Sequence, residues 1–563
     1  MHWTLKPKPE PQKITTLAKD LQVDEIIATM LLQRGVESFE DAKKFFRPSL
    51  EDLHDPFLMK DMDKAVARIA QAITNEENIL VFGDYDVDGT SSVALMSSYL
   101  LSYYPHVATY IPDRYEEGYG VSYQGIDFAA DNNFSLIIAL DCGIKAIDKV
   151  AYAKEKGIDF IICDHHRPGE SIPNAVAVLD PKREDCSYPY DELCGCGVGF
   201  KLVQALAGRR GQTIDDLLLY LDLVATAIGA DIVPMTGENR VLTYFGLKVI
   251  NSNPRPGFQA IIEQLKKDTL EVSDVVFIIA PRINAAGRMK HGQHAVNLMT
   301  ETDLEQAKIY AQEIEAYNLD RRDTDKQITE EALELIKTNG EEERFTTVVY
   351  QENWHKGVIG IVASRLTETY YRPTLVFTKS GDKLAASARS VKHFDVYNAI
   401  EACEDCLEQF GGHKYAAGLT LLPEQFEAFK TKFEEVVKAT IDEKLLTPEI
   451  AVDLEIDLKE ITPKFFRVLK QFAPFGPGNM TPVFMTQNLQ DTGWSKQVGE
   501  DKSHLRLVVK QGTSASFTGI GFSMGEQYEL IKDKKPFKAV YSLDENTWNG
   551  TTSIQLRLRD VKV

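Results

Sequence analysis

Three short apolar runs in the first third of the chain each end on acidic residues, and no other feature limits the fold as much. Ile79 to Phe82 leads into Gly83-Asp84-Tyr85-Asp86-Val87-Asp88-Gly89-Thr90, Leu136 to Leu140 ends at Asp141, and Phe160 to Cys163 runs into Asp164-His165-His166. Further apolar runs lie at Val107 to Ile111 and Ala175 to Leu179, with amphipathic stretches between them. This is the alternation of repeated βαβ units, which gives a parallel sheet with helices on both faces. The carboxyl ends of parallel strands share one edge, and open α/β sheets bind their ligands there. The acids and imidazoles are therefore delivered to one place.

Asp84, Asp86 and Asp88 alternate just past a strand, so their carboxylates can turn toward one point, and Gly89 relieves the bend. An EF-hand is excluded because the twelfth position from Asp84 is Leu95 instead of glutamate. Asp231, in Gly229-Ala230-Asp231-Ile232-Val233-Pro234, adds an acid after the apolar helical run Leu217 to Ile228. Asp also caps helices after strands, and capping accounts for single members of this set better than for its recurrence in four segments. Several carboxylates in one place repel one another unless cations lie between them. A mixed Asp and His set suits two Mn²⁺ ions, with Mg²⁺ as the alternative.

At 563 residues the chain exceeds a single core, and three or four domains are expected. The net charge of −21 argues against broad coating of nucleic acid, though metal-holding carboxylates supply part of that excess. Seven cysteines include one CxxC pair, Cys403 with Cys406, without a second pair at zinc-site spacing. The opening stretch MHWTLKPKPEPQK has no apolar run behind it to act as a signal, and no other run suits a bilayer span, so a cytoplasmic protein is expected.

The periodicity divides the chain into a segment over 1–75 packing on the first α/β domain, that domain over 76–300, a connecting helix over 301–340, a second α/β domain over 341–445 and a small barrel over 446–563. Residues 198–300 read as helical with breaks at Asn253 to Gly257 and Pro281 to Gly287. Asp303 to Lys337 holds no Gly or Pro, and its polar centre, Asn318 to Lys326, suits a solvated connector. In the barrel, Trp494, Phe517, Phe522 and Trp548 are candidates for stacking bases, and Lys496, Lys502, Arg506 and Lys510 for tracking phosphates. Core packing and a solvated strand face are the competing readings.

Asp84 to Gly89, Asp141, Asp164-His165-His166 and Asp231 resemble the four motifs of the DHH phosphoesterases. Ser387-Ala388-Arg389-Ser390 and Gly411 to Gly418 (GGHKYAAG) resemble the SxR and GGHxxAxG signatures of the DHH-associated domain. Pro281 to Arg288 and Pro474 to Asn479 are similar to segments of the RecJ family, whose members carry an oligonucleotide-binding (OB) barrel. The resemblance covers nearly the whole chain. It implies 5′→3′ degradation of single-stranded DNA to 5′-mononucleotides in repair and recombination, with single-strand-binding protein and a helicase as partners.

Carried over by motif, the resemblance makes Asp84, Asp86, Asp88, Asp141, His165 and Asp231 metal ligands. It puts Asp164 and His166 at the reaction, His166 either beside a ligand or as proton donor to the leaving oxygen. Arg282, Ser387, Arg389, Gly412 and His413 are implied in substrate binding, where a guanidinium offers paired donors to phosphate oxygens. Two alternatives remain: a DHH phosphodiesterase for short oligonucleotides or cyclic dinucleotides, and a DNA-binding scaffold without catalysis. The residues beyond 450 argue against the first, and the full set of acids against the second.

Overall fold

The computed structural model describes residues 1–265, 267–532, 535–548 and 550–563, the side chain of Trp548 excepted. It falls into two compact units, one of Met1–Pro112, Tyr119–Ala280 and Glu449–Val563, the other of Asp113–Gly118 and Pro281–Pro448.

The first unit holds the parallel sheet. Its strands are β1 (Asn78–Gly83), β2 (Val107–Tyr110), β3 (Phe134–Leu140), β4 (Asp159–Cys163) and β5 (Ala177–Leu179), in the order β2-β1-β3-β4-β5 with every pairing parallel. Leu80, Val81, Ile137, Ile138, Ile161 and Ile162 are fully buried, as expected when helices cover both faces. In this strand order β1 connects to one side and β3 lies on the other, so the ligand crevice opens at the carboxyl ends of β1 and β3. Helices α1 (Val87–Leu101), α2 (Gly195–Arg209), α3 (Leu221–Asp231) and α4 (Gly237–Ser252) pack around it. Asp231 is the last residue of α3 and not part of a following loop; Ile232, at φ 61°, stops the helix in the left-handed region.

The expectation for residues 1–75 needs correction in its first half. Residues His2–Leu5 pair in parallel with Glu449–Val452, and Ile14, Leu17, Leu31 and Phe45 share one core with Phe465, Phe472, Leu507 and Tyr541 of the carboxyl-terminal barrel. The apolar stripes of these short helices found the barrel's open face, a choice that periodicity does not encode. The motif Pro474 to Asn479 is held by two arginines: Arg240 donates to the carbonyls of Phe45, Phe472, Ala473 and Pro474, and Arg34 Nε to Asn479 Oδ1 at 2.9 Å. The barrel sheet runs β11-β12-β16-β17-β15-β14-β13, numbering β11 (Leu454–Glu455), β12 (Phe484–Asp491), β13 (Lys496–Val498), β14 (His504–Gln511), β15 (Phe517–Gly521), β16 (Phe537–Trp548) and β17 (Thr551–Lys562), and the β12–β14 pairing closes it.

The expected break at Pro281 to Gly287 is a helix, Ala280–Met289, which continues a π-helical turn over Val275–Ile279 at the end of the first unit's middle segment. Pro281 follows the π-helical turn within one continuous helical run, where its ring removes one N–H donor from the ladder. The long helix α5 spans Leu304–Thr338. Its polar centre is solvated on one side, with Leu319, Asp320, Arg322, Asp323 and Lys326 exposed, but Asn318 and Asp325 are buried: Arg321 Nη2 donates to Asn318 Oδ1 at 2.6 Å, and Arg365 Nη2 lies 2.7 Å from Asp325 Oδ1. These polar residues satisfy one another where α5 packs on α6 (Ile359–Tyr370), which is why a hydropathy pattern misreads them. A mixed sheet follows in the order β9-β10-β8-β7-β6, formed by β6 (Thr347–Tyr350), β7 (Thr374–Ser380), β8 (Lys383–Arg389), β9 (Gln409–His413) and β10 (Ala416–Leu421).

Candidate metal centre

At the carboxyl edge of the parallel sheet, ligand atoms of Asp88, His165 and Asp231, and of Asp141, His165 and His166, converge within 4.8 Å of one another in each set. His165 Nε2 lies 3.2 Å from Asp141 Oδ1, 3.6 Å from Asp231 Oδ2 and 3.8 Å from Asp88 Oδ2. Four segments of chain, three strand ends and one helix end, thus meet at one imidazole. Asp84 and Asp86 stand on the same edge but outside these two sets: Asp84 Oδ1 accepts from Gly120 N at 3.2 Å, and Asp86 caps α1 by accepting from Gly89 N at 3.0 Å.

The local backbone is built for close approach. Asp141 takes φ 60°, unusual for a residue with a side chain, which swings its carboxylate off the end of β3. Gly195 opens α2 against it: a Cβ there would lie 2.5 Å from Asp141 Cβ and Oδ1. That approach lets the first amides of α2 reach Asp88, whose two oxygens accept from Gly195 N and Cys196 N, each at 2.7 Å. A carboxylate at a helix N-terminus also gains from the helix dipole.

Electrostatics show what the site lacks. Burial, then the charge of Asp86, pushes the Asp88 carboxyl up to about 7. Burial, then the charges of Asp88 and Asp86, raises Asp231 to about 8, and burial with Asp88, Asp86 and Asp231 lifts Asp141 well above the usual carboxylate range. Among the described residues no lysine or arginine forms an ion pair with any of the three. His165 is pressed down to about 3 by burial and by His166, which keeps it neutral and able to ligate. Asp141 Oδ1 and His165 Nε2 are buried and make no hydrogen bond. Acids without a cationic partner around a neutral imidazole are the donor set that divalent cations satisfy.

Asp164 has a different task. Oδ1 accepts from the backbone of His165 and His166 and contacts His166 Nδ1 at 2.7 Å, while Oδ2 accepts from Ile144 N at 2.9 Å. Burial would raise its carboxyl, but the His166 hydrogen bond and charge win and hold it at about 2. Burial opposes the charge on His166 in turn, and Asp164 overcomes it, raising the imidazole to about 9. Asp164 thus holds His166 at Nδ1 and is tied by three backbone amides. Asp164→Asn is expected to lower kcat about 10- to 100-fold, the usual cost of losing a partner that orients a site imidazole. Bound Mn²⁺ counted by atomic emission should stay at the wild-type stoichiometry, and loss of metal would assign Asp164 to the ligands instead.

Two residues on this edge escape a reading by motif. Tyr119 places its hydroxyl 3.2 Å from His166 Nε2 and donates to the Asp141 carbonyl at 3.3 Å. Asp180 ends β5 as the other acids end their strands, and burial followed by the charge of Asp164 pushes it up to about 7. The strand-end rule would have found Asp180; nothing in spacing marks Tyr119.

The remaining candidates lie in the second unit. Arg389, Ala416 and His413 form one cross-strand row on β8, β10 and β9, and Ser387, Gly418 and Gly411 the next, so both signatures share one patch of sheet. Arg389 Nη1 donates to Ser387 Oγ at 3.0 Å, and the N-terminus of α6 packs on both through Gly360. Burial and the charge of Arg114 lower the Arg389 pKa, so two guanidinium groups share this neighbourhood. Arg114 is a further residue that motif reading missed. Gly412 serves its own hairpin: at φ 143°, a Cβ would fall 2.5 Å from Ala416 O. Arg282 Nε pairs with Glu315 of α5 at 2.6 Å.

A parallel sheet with clustered acids at its switch point, followed by a second α/β unit and a barrel, defines a DHH-type phosphoesterase. Family models agree: the DHH family N-terminal domain matches residues 78–228, the DHHA1 domain 343–439 and the RecJ OB domain 452–560. The single-stranded-DNA-specific exonuclease RecJ of Bacillus subtilis (strain 168) is 35% identical over 569 residues, covering 100% of this chain and 71% of the relative. That of Dickeya dadantii (strain 3937) is 33% identical over 94% of this chain and 95% of its own. The crystal structure of RecJ from Thermus thermophilus in complex with Mn²⁺ superimposes with a TM-score of 0.86 at 27% identity, over 100% of this chain and 79% of that one. The chain belongs to the RecJ family of DHH exonucleases.

Proposed function

We propose that this chain is a single-stranded-DNA-specific exonuclease that degrades its substrate 5′→3′ to 5′-mononucleotides. The observation that carries the reading is the convergence of Asp88, Asp141 and Asp231 on His165, with no ion-pair partner other than that imidazole among the described residues. With Asp84 and Asp86, these residues would hold two divalent cations, Mn²⁺ or Mg²⁺, as relatives solved with each ion suggest. Bound there, such a pair activates water and offsets charge on the attacking and leaving oxygens.

The chain's own groups supply the rest. Hydrolysis joins a water oxygen to phosphorus and breaks the bond to the 3′-oxygen of the terminal nucleotide, leaving a 5′-phosphate on the shortened strand. His166, held at Nδ1 by Asp164, would deliver its Nε2 proton to that departing oxygen, which then takes the place of the Tyr119 hydroxyl as the partner of Nε2. Ser387, Arg389 and His413 are proposed to hold substrate phosphates, with Arg114 adding charge to the same patch. Arg389→Lys should raise KM for single strands about tenfold, the cost of trading a bidentate donor for a point charge, with kcat nearly unchanged; an unchanged KM would remove this patch from substrate binding.

Barrel residues Trp494 and Phe522 are well exposed, and Lys496, Arg506 and Arg557 align in one cross-strand row beside them, a sequence-tolerant surface for a strand. Phe517 packs against the barrel core instead, and the side chain of Trp548 lies outside the described residues. A cytoplasmic location, action in repair and recombination, and cooperation with a single-strand-binding protein and a helicase belong to the same proposal. No helix among the described residues is long and apolar enough to cross a membrane. The test compares single-stranded, duplex and dinucleotide substrates under Mn²⁺. Preference for the single strand supports the reading, cleavage of the dinucleotide alone would replace it with a short-substrate phosphodiesterase, and binding without cleavage would leave a scaffold.

A further inference from the structure

Beside the metal centre, in the same unit, the surface opens into an apolar groove of about 910 Å³. Its floor comes from Ile228 and Gly229 on α3, and its walls from Tyr244 of α4, the turn around Phe277, and the Pro474 to Pro477 segment. Ile232, the residue after Asp231, is on its rim, so one end of α3 serves both places. Three large apolar side chains stay in solvent there: Ile232 at 66%, Phe277 at 77% and Met480 at 61% exposure. A solvent-facing set of that size marks a binding surface. The volume suits a few flat groups and not a globular partner, since pockets for small organic ligands span about 300 to 1,000 Å³.

We propose that this groove receives unpaired nucleobases of the substrate strand and that it is one source of the selectivity for single strands, an inference that rests on the nuclease reading above. Two observations favour bases over a protein segment. The groove floor, Ile228 and Gly229, lies on α3 within one turn of Asp231, so the groove and the acidic cluster share one helix end. The rim also carries Lys248, held over the rings of Tyr244 and Phe245 at 4.2 and 4.8 Å, while Lys470 is paired with Glu545 at 2.8 Å and one acid, Glu271, lines the groove. Phosphates can run along such a rim while bases turn inward onto Phe277, Tyr244 and Phe475, since stacking on aromatic side chains accepts any base. Bases held in a duplex are not free to turn in, so paired substrate loses these contacts.

The test uses the full-length protein, a 5′-phosphorylated oligo(dT) strand of about 20 nucleotides and a dinucleotide. Phe277 is exposed, so Phe277→Ala should leave the fold intact, and Phe277→Tyr keeps a ring. In Phe277→Ala the KM for the long strand should rise about tenfold, within the range of one lost base stack, as should the dissociation constant from fluorescence anisotropy in EDTA. Dinucleotide turnover should stay at the wild-type value, and Phe277→Tyr should restore long-strand binding. Unchanged long-strand values in Phe277→Ala and in the double variant Phe277→Ala, Lys248→Glu would overturn the proposal while leaving the nuclease reading in place. A wild-type protein that cuts no single strand fails that reading itself.

Discussion

Asp141→Asn is expected to abolish nucleotide release, by about a thousandfold or more, and at the same time to make the metal-free protein more stable. Asparagine keeps the shape of the side chain and tolerates the left-handed backbone at φ 60° better than most residues, so little strain is added. What it removes is a buried carboxyl whose ionisation is opposed first by burial and then by Asp88, Asp86 and Asp231. The variant should therefore melt at a higher temperature than the wild type in EDTA. Mn²⁺ should then raise the Tm of the wild type well above that of the variant, because binding to the folded state stabilises only where the site is complete. A variant that is less stable than wild type in EDTA would show that Asp141 holds the fold instead of a cation.

Gly195→Ala should be nearly as damaging although it touches no reacting atom. The new methyl would sit 2.5 Å from Asp141 Cβ and 2.8 Å from Asp141 Cα, distances that force α2 or β3 to move. Retreat of α2 withdraws the two amides that orient Asp88, so two carboxylates lose their placement through one methyl group. Mn²⁺ affinity is expected to fall about 10- to 100-fold, the range seen when groups that orient ligands are lost, and kcat/KM at fixed Mn²⁺ should fall at least as far. Far-UV circular dichroism should be unchanged. Gly208→Ala, where an added Cβ meets nothing within 4 Å on the same helix, serves as the control.

Much of the parallel sheet and its acidic edge can be read from residues alone, because two different signals coincide there. Apolar runs of strand length give the sheet, and acids at the ends of those runs give the edge, so Asp84 to Asp88, Asp141 and Asp164 to His166 need no tertiary information. What each carboxylate does is another matter. Asp164 and Asp141 look alike in sequence, yet one accepts from three backbone amides while the other has a buried oxygen without a hydrogen bond. That difference is set by neighbours distant in the chain, Ile144 beside Asp164 and Gly195 against Asp141.

Loops that return to the site are less legible still. Tyr119 and Arg114 follow β2 by a few residues in a stretch with no periodicity, and they come to opposite units. The polar centre of α5 shows the same limit from the other side. Asn318, Arg321 and Asp325 read as solvated because hydropathy counts side chains singly, whereas burial depends on whether they can pair. The amino-terminal helices carry clear apolar stripes, but a stripe does not name the surface it will cover.

The most direct test of the central claim is a digestion time course on one single-stranded DNA labelled at its 5′ end in one sample and at its 3′ end in another, with Mn²⁺ and with EDTA. A metal-dependent 5′→3′ exonuclease will release 5′-labelled mononucleotide at once and shorten the 3′-labelled strand progressively, with no reaction in EDTA or in Asp141→Asn. Release of the label first from the 3′ end would contradict the polarity, and digestion that persists in EDTA would contradict a metal-dependent site built on Asp88, Asp141, His165 and Asp231.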